Sequence, residues 1–117
     1  MDHPMYMVTH QMHSGLLKTL QDCSIMCEHT LTIMQGAPDY QARTTQRLLL
    51  HDCTDICGLC AKFFTRHSMY SKSLCQLCAY VCEACGNECM KFPDRESQMC
   101  GQMCLACAQE CRAFAMA

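Results

Sequence analysis

Two runs of thiols dominate the sequence: Cys75-x2-Cys78-x3-Cys82-x2-Cys85-x3-Cys89 and Cys100-x3-Cys104-x2-Cys107-x3-Cys111. Two shorter sets, Cys53-x3-Cys57-x2-Cys60 and Cys23-x3-Cys27, keep the same steps of three and four. Those steps are the period of an α-helix, so each set falls on one helix face, where the core-facing positions of a bundle lie. Fourteen thiols arranged in this way can bind soft metal ions, pair as disulfides, or pack as small hydrophobes. Neighbours three or four apart on a rigid helix point the same way, which suits shared ligation of an ion better than the fixed torsion of a disulfide. Packing alone is a poor use of them, because cysteine fills far less volume than leucine. The cavities left behind would cost on the order of kilocalories per mole each. Metal is the favoured chemistry.

The spacing also bears on which metal. Zinc sites place two to four thiolates around one ion, usually on loops or knuckles, and four thiolates on Zn2+ leave a formal charge of −2. Several such sites in one apolar core are costly. Iron–sulfur clusters use runs such as C-x2-C-x2-C-x3-C-P, and no cysteine here precedes proline. Cu(I) is soft and favours thiolate and thioether. If each ion takes two thiolates and each thiolate bridges two ions, every Cu+ replaces one proton and the buried charge hardly changes. The charge argument selects monovalent copper. A zinc or mixed-metal thiolate buffer and an iron–sulfur electron-transfer protein remain as alternatives.

Helices must carry these faces. Glycine and proline number five and three in 117 residues, and they fall where a bundle needs punctuation: Pro4, the Gly36-Ala37-Pro38-Asp39 stretch, and Phe92-Pro93-Asp94. Ser68, after Arg66 and His67, is a further break with a capping hydroxyl. Four helices are predicted over 4–35, 40–67, 69–91 and 95–115, with a possible short extra N-terminal helix if the first breaks near Ser14 and Gly15. Nothing alternates with period two over a useful length, so strands have little support. Short connections favour antiparallel neighbours. The predicted fold is all-α, one antiparallel four-helix-bundle domain over 1–117 with a cysteine-lined core. Mostly apolar residues continue the thiol faces: Leu16, Leu20, Leu31 and Met34 on the first helix, and Leu49, Leu50 and Phe64 on the second. Gln46 is the polar member of that set.

The chain resembles the bacterial copper storage proteins, in their signal-less cytosolic branch, from about Leu16 to Phe114. The Cys75–Cys111 half carries the most specific part of the match. The resemblance implies inward cysteines that bind many Cu(I) ions and a homotetrameric assembly. It carries the ligand role to Cys23, Cys27, Cys53, Cys57, Cys75, Cys78, Cys82, Cys85, Cys89, Cys100, Cys104, Cys107 and Cys111, with Cys60 extending the pattern.

Other features bound the function. Residues 1–20 hold one lysine, an early proline and no long apolar run, so neither a signal peptide nor a membrane span is expected, and the chain is expected in a reducing cytoplasm. A net charge of −2 offers no basic stripe for nucleic acid. No positioned Ser/His/Asp set, phosphate loop or carboxylate pair emerges, so no enzyme is expected. Antiparallel packing gathers Met5, Met12, His13, His67, Met69 and Met116 at one end. Met5, Met12, His13 and His67 are the candidate metal entrance, passing Cu(I) from weak thioether and imidazole ligands to deeper thiolates. Leu77, Tyr80, Val81 and Ala84 form a second apolar stripe, a candidate contact with another subunit.

Overall fold

A computed structural model describes His13 and residues 15–117. Four α-helices fill that span: α1 Leu16–Met34, α2 Thr44–Thr65, α3 Ser71–Cys89 and α4 Arg95–Met116. A 3-10 turn, Tyr40–Arg43, leads into α2, and no strand occurs among the described residues. The short extra helix expected before α1, with Met5 and Met12, lies outside the described residues. No described helix is long and apolar enough to cross a membrane.

The bundle is antiparallel, with α1 against α2, α2 against α3, α3 against α4, and α4 closing onto α1. The α3–α4 seam is built on two glycines. A Cβ on Gly86 would sit 3.0 Å from the Gly101 carbonyl oxygen, and one on Gly101 would sit 3.1 Å from that of Gly86. The missing side chains let the two most cysteine-rich helices approach until Leu105 and Met90 cover the gap. Across the α1–α2 seam, Ser24 donates to the Thr54 carbonyl at 2.8 Å while Thr54 donates to that of Ser24 at 2.7 Å. This reciprocal pair satisfies two hydroxyls beside the thiol face.

The helix ends differ from the expected bounds for local reasons. Residues 40–43 form a tighter turn that brings the Arg43 side chain inward, only 7% exposed, and the α-helix starts one residue later. At the end of α2, His67 has φ 55, with its N–H bonded to the Phe64 carbonyl and the Ser68 N–H bonded to that of Phe63. This is the left-handed stop that usually takes glycine. Ser68 accepts the Tyr70 N–H on its hydroxyl, so the chain turns through Met69 and Tyr70 before α3 begins at Ser71. Asp94, after Pro93, caps α4 by accepting the Ser97 N–H at 3.0 Å.

Candidate metal centre

All fourteen cysteines are free thiols with 0% exposure. Their helical spacing stacks them into one column, about 21 Å long from Cys75 to Cys89 at 1.5 Å per residue. Sulfur meets sulfur across every helix seam. Cys57 lies 3.5 Å from Cys82 and 3.7 Å from Cys78, and Cys53 lies 3.6 Å from Cys82. Cys27 lies 3.6 Å from Cys104 and 3.8 Å from Cys100, and Cys23 lies 3.8 Å from Cys104. Cys107 and Cys111 continue the column at 3.9 Å, with Cys60 beside Cys75 and Cys78. At the far end Cys85 and Cys100 neighbour Cys89.

Two four-thiol groups could each hold an ion: Cys23, Cys53, Cys57 and Cys82, and Cys23, Cys27, Cys53 and Cys104, each with sulfurs within 4.8 Å of one another. They share Cys23 and Cys53, so the centre of the column offers bridged rather than separate sites. Distance alone admits zinc, whose four sulfurs at about 2.3 Å stand ~3.8 Å apart.

Shared protons govern the electrostatics. Cys23 is held below the usual thiol range by its contacts with Cys104, Cys107, Cys27 and Cys53, against the opposing pull of burial. Cys104 is pushed up by the contacts with Cys100, Cys23, Cys27 and Cys53 and by burial. Neighbouring thiols that keep their protons favour a thiolate beside them, and burial opposes it. Replacing those protons one by one with a monovalent soft cation leaves the net charge of the core unchanged.

The two ends of the column are closed differently. One helical step beyond Cys60 and Cys111 stand Phe64 and Phe114, ring centroids 5.3 Å apart and edge-on, above a buried Leu16. His13 does reach this end, but it stacks edge-on against Phe114 at 5.7 Å, so an aromatic layer separates it from the thiols. His67 is there too, serving as the left-handed stop of α2. Met69 and Met116 are 79% and 77% exposed.

At the opposite end the closing groups are polar. Gln46, fully buried, donates from Nε2 to Ser97 Oγ at 2.8 Å and to Cys89 Sγ at 3.4 Å. Arg43 donates to Ser97 Oγ at 3.1 Å and to Gln46 Oε1 at 3.2 Å. Its guanidinium also pairs with Asp39 and Asp94, both at 2.9 Å, and lies over the Phe92 ring. In the sequence Gln46 shows only as a polar exception on a thiol face, and Arg43, Ser97 and the buried Thr30 do not stand out. Ser97 was legible in principle, since it stands three residues before Cys100 on the same face.

Comparison with known proteins gives a consistent picture. A family model described as copper storage protein matches residues 9–116. An uncharacterised cysteine-rich protein of Bacillus subtilis, YhjQ, is 34% identical over 82 residues, covering 69% of this chain and 75% of that one. The Cu(I)-bound structure of copper storage protein BsCsp3 superimposes with a TM-score of 0.84 at 33% identity, covering 87% of this chain and 96% of that chain. A cytosolic copper storage protein from Streptomyces lividans, in a structure with five coppers, shares the fold with a TM-score of 0.88 at 24% identity, covering 94% and 97%.

Proposed function

The chain belongs to the copper storage protein family, and we propose that its fourteen buried cysteines are the ligands that hold Cu(I) as cargo, at about one ion per thiol. Storage of multiple Cu(I) ions in the cysteine core of a four-helix bundle is the function. The observation that carries the ligand assignment is the unbroken sulfur column, with every thiol at 0% exposure and within reach of another helix. Each Cu+ enters in exchange for a proton, so many ions share an interior that could not hold as many divalent charges. The chain acts as a store with no catalytic step.

Three finer assignments belong to the same reading. Met5, Met12, His13 and His67 are the entrance residues of this reading, offering Cu(I) weak thioether and imidazole contacts. The protein works in the cytoplasm, where thiols stay reduced. Four chains associate, and Leu77 and Tyr80, 53% and 60% exposed on α3, supply part of the contact. Tyr80→Glu is expected to shift the assembly from four times the 13.3 kDa chain mass toward a smaller species in light scattering; an unchanged mass removes α3 from the interface.

The zinc alternative draws on the two four-thiol groups at the column's centre. It is tested by offering the reduced chain both Cu(I) and Zn(II) without oxygen, then desalting and measuring each metal. Storage of copper predicts that copper remains in large excess and displaces zinc. Retained zinc with only about one to three coppers would support the buffer instead.

A further inference from the structure

The outer face of α1 carries metal donors that the thiol column does not use. A cavity of about 290 Å³ lies along the seam with α4, lined by Asp22, Ile25, Met26, His29 and Met103. Asp22, Met26 and His29 follow one another at steps of four and three, so they share one stripe of α1. Met103 reaches the same cavity from α4 for a reason of register. Met26 precedes Cys27 and Met103 precedes Cys104, and those two thiols meet across the seam at 3.6 Å. In antiparallel helices the residues before two facing positions turn to the same side of the seam, each about 100° from the contact. Both thioethers therefore stand on one flank, half-buried and packed against the core.

We propose that this cavity is a second, exterior site for one Cu(I) ion, held by the Met26 and Met103 thioethers and the His29 imidazole. It is separate from the fourteen thiols and goes beyond the storage reading. Thioether and imidazole are donors that a soft cation accepts. A methionine that only fills a gap closes the space beside it, whereas here the cavity stays open with both side chains on its wall. The flexible stem of methionine lets each sulfur turn to a shared ion. Hard divalent cations find a single carboxylate, Asp22, which already pairs with Lys18. Its charge at the rim still offsets part of the positive charge of a bound Cu(I).

Two consequences follow from the position of the site. His29 is exposed, so the ion exchanges directly with solvent, and weak thioether and imidazole ligands make it fill after the thiolates. α1 also lies diagonally across the bundle from α3, so the cavity stands away from the assembly contact proposed for Leu77 and Tyr80.

The test is nuclear magnetic resonance of the reduced full-length chain, isotope-labelled at its methionine methyl groups, during anaerobic addition of Cu(I), with thiolate-to-copper absorption followed on the same sample. Met26→Leu and Met103→Leu assign the signals and conserve volume. Once the absorption levels off, the Met26 and Met103 methyl signals are expected to shift together with the ring signals of His29. The Met26 shift is expected to be lost in Met103→Leu, and the Met103 shift in Met26→Leu. His29→Gln, on an exposed face, carries little risk to folding and is expected to weaken this last ion by about tenfold or more, with the uptake seen by thiolate absorption unchanged. Met26 and Met103 signals that stay in place in excess Cu(I), a Met26 shift that survives Met103→Leu, or equal shifts of the exposed Met69 and Met116 would overturn the exterior site while leaving storage intact. Absorption that levels off after about one to three ions overturns storage instead, and the methyl signals still decide the exterior site.

Discussion

Beyond Cys60 and Cys111 the bundle continues with Leu16, Phe64 and Phe114, whereas beyond Cys27, Cys89 and Cys100 it continues with Thr30, Met34, Gln46 and Ser97. The helical register is the same at both ends, and the chemistry of the last layer differs. Hydrocarbon at one end stabilises the fold by burial and shields the thiols from water. Amide, hydroxyl and guanidinium at the other end add less stability, because their hydrogen bonds replace bonds to water. They leave that end with groups able to change partners. A core of small thiols lacks the packing of an ordinary bundle, so the aromatic layer supplies much of what holds the empty protein together.

That difference sets an order of effects on the reduced, metal-free chain. Phe114→Ala deletes a fully buried ring and leaves Phe64 without its edge contact, and a loss of about 3–5 kcal/mol is expected in urea unfolding. Gln46→Leu keeps the volume but strips Ser97, Arg43 and Cys89 of a partner, with a loss of about 1–3 kcal/mol. If Gln46→Leu costs as much as Phe114→Ala, the two ends are equivalent in stability and the contrast fails. Smaller still is the difference in local opening: alkylation of the native chain followed by peptide mapping should label Cys89 and Cys100 before Cys111, because a polar layer opens at lower cost than a packed aromatic one. Labelling of Cys111 first would reverse the assignment of the seal. Lys18→Ala removes an exposed pair with Asp22, four residues on, and should change stability by no more than about 0.5 kcal/mol.

Much of the site was legible in the sequence, because thiols at steps of three and four can share a face only on a helix. Pro93 and Asp94 marked the start of α4, and Phe64 appeared as the residue that follows the thiols of α2. The polar plug was not legible. It joins Arg43 to Ser97, 54 residues apart in the chain, and depends on a 3-10 turn that rotates Arg43 inward. His67 is a candidate entrance residue because histidine is a metal ligand by chemistry, and its left-handed backbone, usually glycine's role, gives the sequence no signal. Gly86 and Gly101 lie inside helices, where glycine as punctuation is not expected, and their part in bringing α3 and α4 together emerges from the approach of the two backbones.

On the proposed reading the whole sulfur column, and not one site within it, takes the metal. Anaerobic titration of the reduced chain with Cu(I), followed by ultraviolet thiolate-to-copper absorption against a competing chelator, tests this most directly. Tight uptake is expected to continue to on the order of ten or more ions per chain, about one for each thiol. A plateau after about one to three ions would contradict it.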